Sequence, residues 1–333
     1  MNKNYPKVTI IIPVYNEERY IAECLDAVVN QDYPHEYLEA LIVDGMSGDN
    51  TRAIVAQYLS KYPYLRLLDN DKRFTPMALN IGIKEARGDY IIRMDAHAVY
   101  QADYISKCIE YSHKYGADNV GGVIRAIPAN KTIEAKAIAL SLSSIFGVGG
   151  ARFRLKSQKP QWVDTVFGGC YLKKTFDRIG LYNENLIRSQ DLELNIRLKA
   201  HGGKILMVPD IVVDYYPKST IKEFFRHNIE DGIWAVYPLK FIKLPFKLRH
   251  YLPMLFVLAF FIGMIFGTFF LLFRYLFVLM ATGYLLVNLL FSLKISIKEK
   301  DPRLFIPLVL SFMSRHFGYG IGSVMGLIKL LKR

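Results

Sequence analysis

The feature that most constrains the fold is a regular alternation of short apolar runs and amphipathic stretches over residues 1–127. The first run, Val8–Val14, is rich in β-branched residues and predicts a buried strand. Between residues 18 and 31, apolar side chains recur at the spacing of one helix face. The pair of patterns repeats, which predicts strands at 41–43, 65–68, 90–94 and 120–127 and helices at 50–62, 77–86 and 104–115. Apolar strands alternating with helices predict an α/β fold with a doubly wound, mostly parallel sheet.

Polar residues follow four of these predicted strands where each strand ends. They are Tyr15 and Glu17 after the first strand, Asp44 after the second, Asp71 and Lys72 near the third, and Asp95 and His97 after the fourth. Ligands of doubly wound sheets bind beyond the carboxyl ends of the strands. The sequence therefore predicts one ligand site at this edge of the sheet.

Asp95 and His97 are the candidate metal ligands. Residues i and i+2 of an extended segment point the same way, so this carboxylate and this imidazole can hold one divalent cation together. Carboxylate oxygens suit Mg²⁺, whereas an imidazole shifts the preference towards Mn²⁺. A cation held there would in turn bind a diphosphate. Two alternatives stay open: Asp95 alone holds the metal while His97 orients a water or a phosphate, or His97 is a plain capping side chain.

Residues 128–240 show looser patterns. Helices are predicted at 132–144 and 191–200, and strands at 204–208 and 211–213. A glycine-rich segment at 147–161 predicts a mobile basic loop that includes Lys156. Gly168 and Gly169 allow close approach to the backbone because they lack side chains. We expect one domain over residues 1–240, with halves at 1–127 and 128–240.

Beyond residue 240 the composition becomes that of membrane-associated helices. Residues 252–273 and 275–293 carry no charge, and each stretch approaches the roughly 20 apolar residues that cross a bilayer. Only Arg274 separates them, which favours a tight transmembrane hairpin, with a re-entrant hairpin or a buried core hairpin as alternatives. Pro307, Arg315 and His316 interrupt a third stretch at 304–331, which predicts a helix in the membrane interface.

Lysines and arginines flank this hairpin at both ends, and the chain carries a net charge of +13. The flanking residues are Lys240, Lys243, Lys247 and Arg249 before it and Lys294, Lys298, Lys300 and Arg303 after it. Cytoplasmic loops carry an excess of such residues, so we expect both ends, and the first domain, on the cytoplasmic face of the membrane. Without any nucleic-acid-binding motif, this clustering favours a membrane surface over nucleic acid as partner.

Missing motifs argue against two further classes of protein. Cys24, Cys108 and Cys170 lie far apart in the sequence, so neither a zinc site nor a disulfide framework can be drawn from them. No Gly-x-Gly-x-x-Gly motif follows the first strand, which argues against a dinucleotide-dependent dehydrogenase.

Four motifs in a fixed order resemble those of a known family. They are VTIIIPVYNEERYIAECLDAVVNQDYP at 8–34, VDGMSGDNT at 43–51, ALNIGIKEARGDYIIRMD at 78–95 and QDLELNIRL at 190–198. Together they resemble family 2 glycosyltransferases, which have the GT-A fold. The Asp-Ala-His triplet, the basic loop and the Arg315-His316 pattern look most like the succinoglycan-biosynthesis branch. The resemblance implies an inverting transfer from a UDP-sugar, with Mn²⁺ or Mg²⁺, to a lipid-linked (polyprenyl-diphosphate) sugar in bacterial exopolysaccharide synthesis.

The residues at the strand ends suit the nucleotide of such a donor. The predicted donor-nucleotide residues are Pro13, Tyr15, Glu17, Asp44, Asp71 and Lys72. Tyr15 would stack on the base, Glu17 would accept hydrogen bonds from the ribose, and Asp44 would accept the N3–H of uracil. Lys72 or its neighbour Arg73 would contact the diphosphate, with a solvated surface position as the alternative.

Asp191 is the predicted catalytic base. An inverting transfer needs a carboxylate to deprotonate the acceptor hydroxyl, and the family supplies it from a Glu-Asp pair where this chain has Gln190-Asp191. Glu193 is the rival, but it points about 200° away around a helix, so only one of the two faces the site. The predicted acceptor-binding residues are Gly168, Gly169 and Gln190, and Arg226 is a further candidate for the diphosphate.

Two other functions stay open as alternatives. A processive polysaccharide synthase would carry more membrane helices and a tight Gln-x-x-Arg-Trp motif, and the spacing of Arg226 and Trp234 does not match it. A non-catalytic membrane scaffold would only bind nucleotide, and the departures from the family pattern at Gln190 and His97 are compatible with that function.

Overall fold

The computed structural model describes residues 5–154, 158–242 and 248–332. Lys156, Lys243 and Lys247 therefore lie outside the described residues. The chain forms two compact units that alternate along the sequence: unit 1 is Met1–Arg125 with Leu155–Tyr215, and unit 2 is Ala126–Arg154 with Tyr216–Arg333. The functional division at residue 240 stays a prediction.

The sheet of unit 1 is mixed, with a parallel half. Its strands are β1 (Val8–Val14), β2 (Leu38–Asp44), β3 (Leu65–Asp69), β4 (Tyr90–Arg93), β5 (Ala98–Tyr100), β6 (Asn119–Ala126), β7 (Gln161–Trp162), β8 (Cys170–Leu172) and β9 (Ile205–Tyr215). The spatial order is β3-β2-β1-β4-β8-β6-β9-β5, and β7 pairs with β9. β1 to β4 are parallel, whereas β8 runs antiparallel to both of its neighbours. The predicted α/β fold is confirmed.

The parallel strands form because their apolar side chains are buried on both faces. In β1, Ile10, Ile11 and Ile12 are fully buried, as the central strand of a covered parallel sheet requires. β1 is flanked by β2 and β4, so the three strands end side by side. Asp44, the last residue of β2, and the residues that follow β1 and β4, including Glu17 and Asp95, therefore lie at one edge of the sheet.

The second half of the sheet differs from the sequence prediction in two ways. The short strands β5, β7 and β8 were not predicted, because two or three residues are too few to show a periodic pattern. The two strands predicted at 204–208 and 211–213 are one strand, β9. β7 pairs with Leu206 and Met207, and β5 pairs with residues 213–215. Pro209, which has no N–H to donate, lies between these two ladders and does not break the strand.

Twelve α-helices are assigned in the described part of the chain. They are α1 (Ile21–Val29), α2 (Thr51–Leu59), α3 (Thr75–Glu85), α4 (Tyr104–Tyr115), α5 (Ile133–Ser141), α6 (Ile145–Val148), α7 (Lys174–Ile179), α8 (Gln190–Ala200), α9 (Ile221–Val236), α10 (Leu252–Phe266), α11 (Leu271–Lys298) and α12 (Phe305–Leu331). Helices α5, α6 and α9–α12 belong to unit 2, and the others belong to unit 1.

In unit 2, glycines bring the backbones of α9 and α12 into contact. A Cβ atom on Gly322 of α12 would lie 2.0 Å from the carbonyl oxygen of Ile229, and one on Gly232 of α9 would lie 2.0 Å from that of Tyr319. Arg315 of α12 adds a polar link, since its Nη1 donates to Asn228 Oδ1 at 2.5 Å. Because Asn228 is fully buried, this hydrogen bond fixes the register of the two helices.

The apolar C-terminal region departs from the predicted hairpin. The first arm, α10, has only 15 residues, and the chain breaks at 267–270 rather than at Arg274. Arg274 instead lies in the first turn of α11, where its Nε donates to the carbonyl oxygen of Gly267 at 2.9 Å. Among the described residues, two helices, Leu271–Lys298 and Pro302–Leu331, are long and apolar enough to cross a membrane, by length and composition alone.

The third apolar stretch forms one continuous helix, α12, that includes Pro307, Arg315 and His316, and its location in the membrane interface stays a prediction. Pro307 lies in the first turn of the helix, where its missing N–H costs no intrahelical hydrogen bond. Arg315 bonds to α9 as described, and the two ring nitrogens of His316 lie 2.8 Å from the Phe146 carbonyl oxygen and 3.1 Å from the Tyr284 hydroxyl. Polar partners within unit 2 therefore accommodate both side chains.

Candidate active site

The loops that follow β1 and β2 are joined by hydrogen bonds at the carboxyl edge of the sheet. The N–H of Asn16 donates to Ser47 Oγ at 2.8 Å, and the N–H of Gly48 donates back to Asn16 Oδ1 at 2.9 Å. One turn later, the N–H of Asn50 donates to Glu18 Oε2 at 3.0 Å. These reciprocal hydrogen bonds fix the two loops against each other, so that together they form one surface at the edge of the sheet.

Tyr15 presents an aromatic face on this surface. Its side chain is 42% exposed although it directly follows a buried strand. The Arg73 guanidinium lies over the ring, 5.8 Å from its centroid. Pro13, two residues earlier, is part of β1 and pairs with Val43 of β2. The exposed Tyr15 ring is therefore accessible for the predicted stacking on a base, whereas Pro13 is part of the sheet.

Asp44 lies below the surface and is bound to the protein itself. Its side chain is fully buried, Oδ1 accepts from Ser47 Oγ at 2.6 Å, and Oδ2 accepts from Arg52 Nη1 at 2.7 Å. The same Arg52 Nη1 lies 2.7 Å from Asp69 Oδ1 at the end of β3. Sequence reasoning did not identify Arg52, which lies in the first turn of α2 and crosses the ends of two strands.

Asp71 and Lys72, which were predicted near the end of the third strand, differ in their surroundings. Asp71 is exposed, and Lys72 Nζ lies 3.2 Å from Glu184 Oε2. Asn80 of α3 holds the same segment, because its Nδ2 donates to the carbonyl oxygen of Tyr182 at 2.9 Å and to Glu184 Oε1 at 3.1 Å. Lys72 thus contacts the loop before α8, which sequence reasoning did not foresee.

Asp95 lies just past the end of β4, almost buried. Its Oδ1 accepts from Arg93 Nε at 2.8 Å, and its N–H donates to the hydroxyl of Tyr100 at 2.8 Å. Burial works to raise the pKa of this carboxyl group, but the charge and hydrogen bond of Arg93 and the nearby His97 hold it below its usual value. Within the described chain, the second carboxylate oxygen, Oδ2, receives no hydrogen bond.

His97 is paired with Glu17 rather than with Asp95. Its Nδ1 lies 3.4 Å from Glu17 Oε1, and its side chain is 41% exposed. Burial works to lower the pKa of the imidazole, but the hydrogen bond to Glu17 and the charges of Asp95 and Glu17 raise it overall. An imidazole whose Nδ1–H is bonded to a carboxylate presents the lone pair of Nε2 when it is neutral.

Asp95 and His97 are arranged to supply part of the coordination of a metal ion, with a bound ligand supplying the rest. Among the described residues, no group of three or more histidine, cysteine, aspartate or glutamate side chains could hold a metal by itself. Asp95 Oδ2 and His97 Nε2 supply at most two ligands, and the Glu17–His97 pair has the carboxylate–histidine pattern that orients metal-binding imidazoles. The donor set suits Mn²⁺ or Mg²⁺ completed by phosphate oxygens.

Two acidic residues in the first turn of α8 differ sharply in their surroundings. Glu193 is nearly buried and forms a bidentate pair with Arg197, at 2.6 Å to Nε and 2.8 Å to Nη2. Arg197 also bonds to the carbonyl oxygens of Ile179 and Leu181. In contrast, the partly exposed Asp191 carboxylate forms no hydrogen bond or ion pair with any described residue. Glu193 is thus part of a structural network, and the role of Asp191 as catalytic base stays a prediction.

The glycine pair and its neighbours have a packing role of their own. Gly168 and Gly169 have φ of +64° and +96°, and a Cβ on Gly168 would lie 2.9 Å from the carbonyl oxygen of Arg93. The N–H of Arg93 donates to the carbonyl oxygen of Gly169 at 3.2 Å. The two glycines are needed for this close approach to the end of β4, and their contact with an acceptor stays a prediction. So does the role of Gln190, which is nearly buried at the start of α8.

Comparison with known proteins identifies the family. The family model for glycosyl transferase family 2 matches residues 9–178, which is just over half of the chain and runs from the second residue of β1 past β8. The chain belongs to glycosyl transferase family 2.

Relatives within family 2 match far beyond that region. A dolichyl N-acetyl-alpha-D-glucosaminyl phosphate 3-beta-D-2,3-diacetamido-2,3-dideoxy-beta-D-glucuronosyltransferase of Methanococcus voltae is 32% identical and covers 97% of each chain. The succinoglycan biosynthesis protein ExoA of Rhizobium meliloti (strain 1021) is 28% identical over 71% of this chain and 76% of its own length. The recognition of the family, and of a similarity to succinoglycan biosynthesis proteins, is therefore confirmed.

A solved structure agrees with the fold. The mannosyltransferase PcManGT from Pyrobaculum calidifontis, in complex with GDP-Man and Mn²⁺, superimposes with a TM-score of 0.62. It is 20% identical and covers 98% of this chain and 88% of its own. At that identity the similarity establishes the GT-A fold and nothing finer.

Two arginines of this family 2 protein differ in how they relate to the sequence-based predictions. Arg226, the predicted diphosphate contact, is exposed on α9 and belongs to unit 2, and its role stays a prediction. Arg93 was not predicted to act in the site, because a single arginine at the end of a strand has no recognisable pattern. Its position two residues before Asp95 was the only available signal.

Proposed function

We propose that this family 2 enzyme is a metal-dependent inverting glycosyltransferase that moves a sugar from a UDP-sugar to a lipid-linked saccharide. The observation that carries the proposal is a pair of carboxylates, Asp95 just past the end of β4 and Asp191 in the first turn of α8. Asp95 has an oxygen without a hydrogen bond from the described residues, suited to a cation. Asp191 has a carboxylate that forms no hydrogen bond or ion pair with them, suited to a proton.

The donor nucleotide would bind where the first two loops meet. Tyr15 offers an exposed ring to the base. Asp44 reaches the N3–H of uracil only if the base replaces part of its contact with Ser47 or Arg52, since its side chain is fully buried. Glu17 shares its carboxylate between His97 and a ribose hydroxyl, and Arg73, next to Lys72, lies beside the Tyr15 ring.

Asp95 and His97 would hold the divalent cation. A bound Mn²⁺ or Mg²⁺ would neutralise the charge that builds on the leaving diphosphate. The Glu17 carboxylate orients the His97 ring for this task. Neutral His97 is required for ligation, so a metal at this site competes with a proton.

The transfer step needs one proton acceptor. The acceptor hydroxyl oxygen forms a bond to the anomeric carbon, the bond from that carbon to the diphosphate oxygen breaks, and the nucleotide leaves with the electron pair. Asp191 accepts the hydroxyl proton as general base. Glu193 does not compete, because Arg197 binds both of its oxygens. A single displacement with one base inverts the anomeric configuration.

The names of the relatives support a lipid-linked acceptor. The relative from Methanococcus voltae is named for a dolichyl sugar phosphate, and the one from Rhizobium meliloti for succinoglycan biosynthesis. Two apolar helices of unit 2 are long enough to anchor the chain in a membrane. Gly168, Gly169 and Gln190 would contact the acceptor sugar, Arg226 its phosphates, and the catalytic domain would face the cytoplasm.

Calorimetry of UDP binding to the detergent-solubilised full chain tests the donor site. We expect binding with Mn²⁺ or Mg²⁺, its loss with EDTA, and its loss in Asp95→Ala. GDP serves as the matched control, because the proposed uracil contact at Asp44 disfavours guanine. Absence of UDP binding under every condition would contradict the proposal. Binding without sugar transfer to any lipid-linked acceptor would favour a nucleotide-binding scaffold.

A further inference from the structure

Arg315 is a charged residue inside the apolar helix α12 of unit 2. It lies away from both ends of this helix, and its side chain is only 22% exposed. The helix belongs to one of the two described segments that are long and apolar enough to cross a membrane. A charge in such a helix is costly unless it is paired, and it commonly marks the binding of a substrate or an ion.

One side of the Arg315 guanidinium is bound by the protein itself. Nη1 donates to Asn228 Oδ1 at 2.5 Å and lies 3.5 Å from Asp231 Oδ2. The guanidinium also lies over the ring of Tyr319, 5.4 Å from its centroid. Asn228 is fully buried, and its own Nδ2 donates to the carbonyl oxygen of Phe224 at 2.7 Å. These contacts hold the guanidinium in one orientation, so it is preorganised for a ligand.

The other edge of this guanidinium, formed by Nε and Nη2, is open. No residue that the structure describes forms a hydrogen bond with either atom. Elsewhere in the chain the same edge binds a carboxylate, since Nε and Nη2 of Arg125 donate to the two oxygens of Asp214 at 2.6 and 2.7 Å. Phosphate oxygens suit the same fork, so the open edge of Arg315 fits a carboxylate or a phosphate.

Arg274 shows the arrangement that leaves no such edge open. It lies in α11, the other long apolar helix of unit 2. Its Nε donates to the carbonyl oxygen of Gly267 at 2.9 Å, and its Nη2 donates to that of Thr268 at 3.5 Å. Backbone carbonyl groups thus occupy the edge that is open in Arg315. Arg274 is therefore a matched control for a ligand at Arg315.

We propose that Arg315 binds the phosphate group of a lipid through Nε and Nη2. Basic positions between membrane helices bind phosphate headgroups, and α12 also exposes large apolar side chains, such as Leu310 and Met313, that a lipid chain can cover. The inference deepens the proposed function and rests on it for one source of the phosphate, the lipid-linked saccharide that accepts the sugar. A phospholipid headgroup has the same chemistry and is the other source.

The test measures lipid binding to the full-length protein in detergent, without any donor. The probes are undecaprenyl phosphate, phosphatidylglycerol and the neutral alcohol undecaprenol, and affinity is measured by calorimetry together with the lipid-induced rise in melting temperature. We expect the phosphate lipid, and not the alcohol, to bind the wild type. Arg315→Gln should weaken this binding by about 10–100-fold, and Arg315→Lys should weaken it less, because lysine keeps the charge but not the fork. Arg274→Gln should bind as the wild type does.

Melting temperatures without lipid show which variants fold, and the lysine variant carries the test if Arg315→Gln does not. Tighter binding of undecaprenyl phosphate than of phosphatidylglycerol would support the inference with the acceptor as source, and equal binding would support it with a phospholipid as source. Wild-type affinity in the folded Arg315 variants, or an equal loss in Arg274→Gln, would overturn it. A wild type that binds UDP with Mn²⁺ but no phosphate lipid would overturn the inference alone. Binding of the phosphate lipid through Arg315 without any UDP binding would contradict the proposed function alone.

Discussion

At the scale of single residues, the site depends on a few charged side chains that are bound to each other. Asp44 and Asp69 share Arg52, Lys72 pairs with Glu184, and Asp95 pairs with Arg93. The Arg52–Asp69 and Lys72–Glu184 pairs join segments that are separated in the sequence, whereas Arg93 and Asp95 lie two residues apart at the end of β4. Disruption of one pair should therefore affect both the local stability and the geometry of the site.

Arg52→Ala should destabilise unit 1, because it leaves the fully buried Asp44 without its cation. The loss of a charged hydrogen bond to a buried group costs about 1.5–3 kcal/mol. Thermal unfolding in detergent, followed by intrinsic fluorescence, measures the effect. Arg87→Ala is the control, since Arg87 is exposed and lies 3.9 Å from Glu39. Equal melting temperatures of the two variants would contradict this account of Asp44.

The Lys72–Glu184 pair should make stability depend on pH in acid. Hydrogen bonds from Asn80 and Lys72 lower the pKa of Glu184 below its ordinary value of 4.5. The stabilisation is therefore complete above 4.5 and is lost as the pH falls through the lowered pKa. We expect Glu184→Gln to reduce the melting temperature at neutral pH and to match the wild type in strong acid. Lys72→Met should weaken this pH dependence. If the difference in melting temperature between wild type and Glu184→Gln persists unchanged in acid, this argues against a stabilising Lys72–Glu184 pair.

At the scale of elements, unit 2 depends on contact between helix backbones. Gly322→Ala should separate α9 from α12, because its Cβ would overlap the Ile229 carbonyl, and overpacking of this kind costs about 1–3 kcal/mol. Gly283→Ala in α11 is the matched control, since nothing lies within 4 Å of its Cβ position. That control should stabilise its helix slightly, because alanine has the higher helix propensity. Thermal unfolding of both variants in detergent checks the difference, and the reverse order would contradict the packing described.

The elements also show what a sequence can predict. β1 to β4 and their helices were predicted within a few residues, because each has its own apolar period. The insertion of antiparallel β8 between β4 and β6 was not predicted. Its partners β4 and β6 lie some eighty and fifty residues away in the chain. The helix break lies at 267–270, whereas the sequence analysis predicted it at Arg274, because a charged residue within an apolar run is typical of a turn between two helices. Here the charge is satisfied by the Gly267 carbonyl oxygen of the preceding turn.

The candidate site was predictable only in part for the same reason. Residues that follow strand ends, such as Asp44 and Asp95, were predicted because chain position alone brings them to one edge. Arg52 and Arg93 were missed because their importance comes from the carboxylates that they contact in the fold. The choice of Asp191 over Glu193 also depends on such a contact, since Arg197 occupies only Glu193.

At the scale of the whole molecule, orientation in a membrane can be tested with a single cysteine. The three native cysteines are buried, so an impermeant maleimide should not label the folded wild-type chain. Lys298 ends α11 beside further basic residues, which predicts a cytoplasmic location. We expect Lys298→Cys to be labelled in inverted membrane vesicles and not in sealed cells. Labelling from the outer side alone would contradict the proposed orientation.

The measurement that tests the central claim most directly compares Asp191→Asn with Glu193→Gln in the full-length enzyme. For each variant, UDP–Mn²⁺ affinity is measured by calorimetry, and sugar transfer to dolichyl- and polyprenyl-linked saccharides is measured in parallel. Asp191→Asn should bind UDP as the wild type does and lose turnover by about 10²–10⁴-fold. Glu193→Gln should keep its turnover wherever it folds. Full activity of Asp191→Asn, or loss of turnover in a folded Glu193→Gln alone, would contradict the account.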